Sequence, residues 1–316
     1  MSVRLGYACI SVEKRAEGVF CSRSLTLKTL QTKGIEEAQR LALLNIEDLK
    51  TLITYNEFHG IRFFRITSNL FPHMENPLAV AYNIDFARDK LAEVGALGRK
   101  YGHRLTFHPG QFCQLGSPRP SVVEQTVRDL TLHANIFHAM GYTPTLGSVM
   151  IVHGGGVYGD RTAALERWAN TYNNMREDVR QFISLENDEF SYSVMDLLPL
   201  CEKLKIPLCV DFFHHEVGHA DLFDIFDPVL IKRVMNTWHI RGIKPKIHWS
   251  NQAEGKRRGA HSDDIRNIPK KIMDICIEYG CDIMLESKLK DQTVFKMLKK
   301  HFKKVVNGTR IEWYPR

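Results

Sequence analysis

The chain has 316 residues, 44% hydrophobic and 25% charged, enough for one large globular domain with a sizeable core. A formal net charge of +7 and 14 histidines suit a polyanionic partner without selecting one. Its apolar stretches are too short to span a membrane, and MSVRLGYACISVEKRAEG at the N-terminus lacks the apolar core and cleavage site of a secretory signal, so the expectation is an intracellular protein, cytoplasmic or nuclear, without a membrane partner.

In chain order, strand candidates lie at 3–8, 61–67, 104–108, 148–153, 182–186, 207–212, 244–249 and 281–286. Each is short, rich in β-branched or aromatic residues, and bounded by Gly, Pro, Asn or Ser. Helical spacing fills the intervals: Leu41, Leu44, Leu49, Leu52 and Ile53 form one apolar stripe, and Ile84, Ala87, Leu91, Val94, Leu97 and Tyr101 another. Ser121 with Glu124 predicts a capping box, and Asp263–Asp264 precede a helix that ends at Gly280. Lys299, Lys300, Lys303 and Lys304 predict the solvated face of a final basic helix, with a tail, over about 290–316. Asn307-Gly308-Thr309 matches a glycosylation acceptor by chance in a chain without a secretory signal. Strand alternates with helix eight times and no linker divides the chain, which predicts one α/β domain over 1–316, a single (β/α)8 TIM barrel. A doubly wound open sheet is the alternative, but it would not bring the tips of strands 3 to 8 to one point.

Those tips carry the chemistry. Six successive runs, LTFHPGQ, VMIVHGGG, ISLEND, LCVDFFHH, PKIHWSN and IMLES, end on His108, His153, Glu186, Asp211 (with His214 close behind), His248 and Glu286. Singly, each reads as a core histidine or a capping carboxylate. Jointly, at the C-terminal mouth of a barrel, they would crowd a small volume, and a divalent cation resolves the conflict. Imidazole with carboxylate suits Zn²⁺ or Mn²⁺ better than Ca²⁺ or Mg²⁺. Two residues before each ligand the side chain faces inward one layer lower: Thr106, Ile151, Ser184, Cys209, Lys246 and Met284. Only Lys246 is charged. Either it pairs with a carboxylate or snorkels, or its pKa is altered and it touches a phosphate or is chemically modified.

Two familiar motifs are set aside. His215-Glu216-Val217-Gly218-His219 matches H-E-x-x-H but follows a strand directly and lacks a third ligand at the required spacing. Gly154-Gly155-Gly156-Val157-Tyr158-Gly159 matches G-x-G-x-x-G, yet a dinucleotide site would leave His153 idle; a tight turn is the better use, and no nucleotide cofactor is expected. Two mouth loops have nucleic-acid character. Lys256, Arg257 and Arg258 could grip phosphates, with His261 returning as a further ligand, and Gln111-Phe112 offers an amide and a ring that could wedge into a base stack. The competing reading of Phe112 is a ring closing the core over a turn. Seven scattered cysteines without a C-x-x-C pair read as reduced thiols in a reducing compartment.

Taken in order, Arg4-Leu-Gly-Tyr7, Phe64-Arg-Ile66, His108-Pro-Gly-Gln111, His153-Gly-Gly155, Leu185-Glu-Asn-Asp188, Val210-Asp211 with His214-His215, Lys246-Ile-His248, Ala260-His261 and Glu286-Ser-Lys288 resemble the UV damage endonuclease family. The resemblance covers about residues 3 to 290. It implies a barrel similar to endonuclease IV that cuts DNA immediately 5′ of UV photoproducts (cyclobutane pyrimidine dimers and 6-4 photoproducts) and some other lesions, abasic sites among the candidates. It also implies a 3′-hydroxyl product and two or three divalent metals, usually Mn²⁺, with Zn²⁺ or Mg²⁺ as alternatives. Carried over, His108, His153 and Glu186 form one metal set. Glu186 bridges to a second held by Asp211, His248 and Glu286, and His214 with His261 belong to a third. Glu186, Lys246 and His248 become the catalytic candidates, Lys246 falling on a lysine seen carboxylated. Gln111 and Phe112 fall on the lesion-probing pair and Tyr7 near the flipped bases. Three departures bear on lesion preference: Asn69 stands where some members have His, Ser11 where some have a lesion-contacting Asn, and Phe112 where Tyr is common. The expected partner is damaged double-stranded DNA, met by a monomer. A metal-dependent sugar isomerase or epimerase on the same barrel and a non-catalytic DNA-damage binder are the rival readings.

Overall fold

Eight short strands occupy the stretches expected of them in the computed structural model, which describes residues 3–74, 76 and 82–316. They are β1 Leu5–Ala8, β2 Phe63–Arg65, β3 Arg104–Thr106, β4 Met150–His153, β5 Ile183–Glu186, β6 Leu208–Cys209, β7 Lys246–Trp249 and β8 Asp282–Leu285. All pair in parallel, β3-β2-β1-β8-β7 in one run and β4-β5-β6 in another. Parallel bridges Phe107↔Met150 and Asp211↔His248 join the two runs at both ends. The ring therefore closes in chain order, as a (β/α)8 barrel requires.

Helices pack around it largely as the apolar stripes predict, except that Leu44 of the first stripe is 41% exposed. Ile35–His59 buries Ala38, Ala42, Ile46, Leu49, Leu52 and Ile53, and Arg88–Tyr101 buries Leu91 and Val94. A Cβ at Gly95 would lie 1.9 Å from the Met140 carbonyl oxygen, so only glycine lets this helix come so close to the chain beside it. Among the described residues no helix is long and apolar enough to cross a membrane. All seven cysteines are free thiols.

Strand parity sorts the interior into layers. At the N-terminal end, Arg104 and Asp282 are 1% and 0% exposed and meet at 3.0 Å. Arg104 also donates to the carbonyls of Gly147 at 2.8 Å, Lys244 at 2.8 Å and Pro245 at 3.0 Å, while Asp282 accepts from the Arg4 backbone N–H at 3.0 Å and from Lys244 Nζ. One ion pair thus ties the entries of several strands together and plugs that end. Above it lie Phe63, Thr106, Ile151, Ser184, Cys209, Lys246 and Met284, all buried. The ligand candidates form the next layer up.

Three local expectations are corrected. The helix Pro120–Ala139 starts on Pro120, whose fixed φ suits the first turn, so Ser121 lies inside it and Arg119 occupies the cap position. The capping box is found instead at Ser193 and Asp196. Asp263 and Asp264 pair with Lys288 and Lys296 rather than capping Lys270–Tyr279, although Gly280 does end that helix in the left-handed conformation. The basic end is not one helix with a tail: after Lys290–His301 the chain forms an antiparallel hairpin, β9 Phe302–Asn307 and β10 Arg310–Pro315. Lys303 and Lys304 therefore sit on a strand. Val305 and Val306 favour extended chain, and Gly308-Thr309, with Gly308 at φ +61°, supplies the two-residue turn.

The plug has a measurable consequence. Asp282→Ala strands a buried guanidinium and is expected to cost about 3–5 kcal/mol in urea unfolding, whereas the double change with Arg104→Met recovers part of that loss.

Candidate metal centre

Glu186, the last residue of β5, points to the barrel axis with no exposed surface. Its carboxylate is shared by three imidazoles. His108 Nε2 lies 2.9 Å and His153 Nε2 3.5 Å from one oxygen, and His248 Nδ1 abuts the other. His248 Nδ1 is also 3.3 Å from Glu286 Oε1 and 4.0 Å from Asp211 Oδ2. His214 Nδ1 stands 3.6 Å from Asp211 Oδ2, and His261 Nε2 3.5 Å from Glu286 Oε2.

All eight sequence-predicted ligands thus converge. Six of them supply, among the described residues, three groups able to hold an ion: His108–Glu186–His248, Glu186–Asp211–His214 and Asp211–His248–Glu286, each within 4.8 Å, while His153 and His261 stand outside all three. Glu186 belongs to two of them. The grouping differs from the implied sets in three ways, the first being that His153, expected with His108 and Glu186, falls in no group. His248 joins His108 as well as Asp211 and Glu286, and His214 stands with Asp211 rather than with His261, whose ring is 6.1 Å away.

Backbone contacts orient the rings. His108 Nδ1 faces the Pro109 carbonyl at 3.2 Å, His214 Nδ1 that of Asn187 at 3.0 Å, and His261 Nδ1 that of Glu286 at 3.2 Å. A carbonyl only accepts, so Nδ1 carries a proton in each ring and Nε2 is the nitrogen turned to a carboxylate: Glu186 from His108, Glu189 from His214 and Glu286 from His261. The Asn187 side chain clamps β5 to β6, accepting from the Asp211 N–H and donating to the Asp211 carbonyl, both at 2.9 Å. Asp211 Oδ1 caps the His214 N–H at 2.9 Å.

Both Glu186 oxygens, Asp211 Oδ2, His153 Nδ1 and both ring nitrogens of His248 are buried without a hydrogen bond. Leaving so many polar atoms unmatched is costly, and a cation with oxygen and nitrogen ligands satisfies them together; the donor set fits one. Burial pushes the Glu186 carboxyl up, but His248, His153 and His108 outweigh it and hold the group well below the usual carboxylate range. Burial pushes Asp211 up, and Glu186 adds to the shift. Burial pulls His214 down, but Asp211 and Glu186 carry it up to about 10.

One layer lower, Lys246 has no exposed surface, and its Nζ has no hydrogen-bond partner and lies 5.6 Å from the Phe63 ring centre. Burial, helped by Arg104 and Arg65, brings its pKa down to about 8. It neither snorkels nor pairs.

Sequence reasoning missed Arg65, which ends β2 and pairs, largely buried, with Glu286. The strand-tip rule pointed to it, but only ligand types were sought there. Glu189, 3.8 Å from His214 Nε2, was missed too.

Two expected DNA contacts are corrected. Tyr7 is fully buried and donates to Asn56 Oδ1 at 2.7 Å, because odd positions of β1 face the helices while Gly6 and Ala8 face the axis. Ser11 is fully buried too; it donates to Asp291 Oδ2 at 2.6 Å and caps the helix Val12–Ala16. By contrast Gln111, Lys256, Arg257 and Arg258 are exposed, and Phe112 is 55% exposed, so it does not close the core. Within H-E-x-x-H, His215 packs on Phe223 and His219 bonds to the Asp188 carbonyl at 2.8 Å, both apart from the ligand groups although the motif lies on a short helix, Phe212–Gly218. The glycine run makes the expected tight turn, with Gly155 at φ +86°.

A family model described as UV-endonuclease UvdE matches residues 3–313. A protein of Acanthamoeba polyphaga mimivirus named "Putative UV-damage endonuclease" is 44% identical over 304 residues, 95% of this chain and 92% of that one. The UV-damage endonuclease of Schizosaccharomyces pombe is 38% identical over 314 residues; the match takes 94% of this chain and 50% of that protein, so the chain spans half the length of that relative. The crystal structure of SacUVDE superposes with a TM-score of 0.81 at 25% identity, covering 94% of this chain and 97% of the other.

Lys246 allows a test without activity. Between about pH 8 and 10.5 the folded protein binds fewer protons than the unfolded chain, so stability rises with pH across that window. Lys246→Met is expected to abolish that rise and to stabilise the metal-free protein at pH 7 by about 3 kcal/mol, read by thermal unfolding in EDTA.

Proposed function

The chain belongs to the UV-endonuclease family and is an endonuclease, and from that premise we propose that it repairs DNA by metal-dependent hydrolysis of the phosphodiester immediately 5′ of UV photoproducts, with abasic sites as further substrates. The observation that carries this reading is the buried Glu186 carboxylate, ringed by imidazoles with its oxygens unmatched, at a mouth whose rim exposes Phe112 and Lys256–Arg258.

In this reading His108 and Glu186 would hold one ion with His153 beside them. Glu186, Asp211, His248 and Glu286 would hold a second, with His248 also reaching the first, and His214, which stands with Asp211, would serve a third with His261. Bound Mn²⁺ would polarise the phosphate oxygens and lower the pKa of a water, supplying hydroxide near neutral pH. The protein's own contribution is placement. The backbone carbonyls of Pro109, Asn187 and Glu286 orient three imidazoles through their Nδ1 atoms. Arg65 holds Glu286 from the side of β2. Lys246, beneath Glu186 and His248, either puts positive charge under the reacting phosphate or, through its neutral fraction, is carboxylated to an anionic carbamate instead. Gln111 and Phe112 enter the base stack, and a lesion makes that entry cheaper, which selects damage without reading bases.

A sugar isomerase would use the same carboxylates but gives no role to exposed Phe112 or to Lys256–Arg258. A non-catalytic binder leaves the unmatched donors unexplained.

Supercoiled plasmid, irradiated or untreated, tests the proposal. Nicking is expected only with irradiated plasmid and Mn²⁺, and not in EDTA. Glu186→Ala should lower the rate by more than about a hundredfold; a variant as active as the parent would sink the shared-carboxylate scheme. Replacing Mn²⁺ by Zn²⁺ or Mg²⁺ in the same assay ranks the metals.

A further inference from the structure

The loops at the mouth are stitched into one rim. Gln114, after β3, accepts through Oε1 from the Gly156 N–H at 2.7 Å and the Tyr158 hydroxyl at 2.8 Å, and donates through Nε2 to the Gln111 carbonyl at 2.9 Å. Tyr192, after β5, donates to the Gly156 carbonyl at 3.4 Å. Arg258, after β7, donates to the carbonyls of Glu189 at 2.8 Å and Gly218 at 3.0 Å.

This rim presents three aromatic rings from consecutive loops: Phe112, Tyr158 and Phe190, 55%, 39% and 65% exposed. Tyr158 is held at φ +49°, a conformation a tyrosine rarely adopts. Phe190 sits on a turn gathered by Asp188, which accepts from the Phe190 N–H at 2.8 Å and the Tyr192 N–H at 3.2 Å. Two of the rings carry a guanidinium: Arg258 lies 5.5 Å from Phe190 and Arg167 5.9 Å from Tyr158. Lys256 and Arg257 stand exposed beside Arg258. Rings alternating with cations on a rim above a hydrolytic centre match the chemistry of unpaired nucleic acid: π-faces for bases, positive charge for phosphates.

We propose that Tyr158 and Phe190 extend the surface begun by Phe112 into a stacking platform for DNA bases displaced from the duplex at the lesion. The inference rests on the nuclease reading and goes beyond it by assigning Phe190 and Tyr158 as base-binding residues and Gln114 as the residue that positions Tyr158. Stacking accepts any base, as an enzyme selecting damage over sequence requires.

The test uses the whole chain in EDTA with a duplex containing one photoproduct and 2-aminopurine placed opposite or beside it. Phe190→Ala is expected to weaken binding about five- to a hundredfold, and to relieve the 2-aminopurine quenching seen with the parent protein at one of the two positions. Phe190→Trp should retain both. The quenched position identifies the strand. No quenching at either position, or equal affinity and equal signal in Phe190→Ala, would overturn the platform. Should the parent protein nick irradiated plasmid while Phe190→Ala matches it in affinity and quenching, the platform alone falls; should the parent not nick, the nuclease reading falls.

Discussion

Everything at the mouth is organised by one carboxylate buried among imidazoles. An ionised group with no exposed surface survives only where its neighbours replace water, and Glu186 has three such neighbours within reach. That requirement fixes the strand tips around it, because only a closed ring can aim β3, β4, β5 and β7 at one point. The backbone contact behind His108 serves the same end, since a rotated ring would turn its Nε2 away from Glu186. Glu286 repeats the arrangement on a smaller scale, set between Arg65, His248 and His261.

Much of this was legible in the sequence, for a physical reason. A strand alternates its faces with period two, so a ligand-type residue ending an apolar run in a barrel is committed to the axis, and the residue two before it to the layer below. The six strand-end ligand candidates His108, His153, Glu186, Asp211, His248 and Glu286 and the buried Lys246 follow from that rule, whereas His214 lies on the helix after β6 and His261 in the loop after β7. The misreadings have causes too. Tyr7 was placed at the mouth by resemblance, whereas its parity on β1 turns it toward Asn56 and the helices. Ser11 was weighed as a contact when its position before a helix makes it a cap. The terminal lysines were read by charge, but Val305, Val306 and the Gly308-Thr309 turn make their segment a hairpin. Arg65 escaped because an arginine is no metal ligand, although a crowd of carboxylates needs a cation as much as it needs a metal.

The two ends of the barrel divide the labour. At the N-terminal end Arg104 and Asp282 are matched almost completely by carbonyls, a backbone N–H and Lys244. At the mouth the same kinds of groups are left partly unmatched. Stability is concentrated where no chemistry occurs, and the electrostatic tension is confined to the layer that ligands and loops can reach.

The Arg104–Asp282 plug also makes the barrel a blind tube. With that end sealed, and Phe63, Thr106 and Met284 packed in the layer of Lys246, the amine can meet a proton, an ion or dissolved carbon dioxide only by way of the mouth. A polymer seated across that opening acts as a cork. On the proposed reading, whatever state Lys246 holds when the cork goes in it would keep until the cork comes out, so that any loading or modification would precede each encounter.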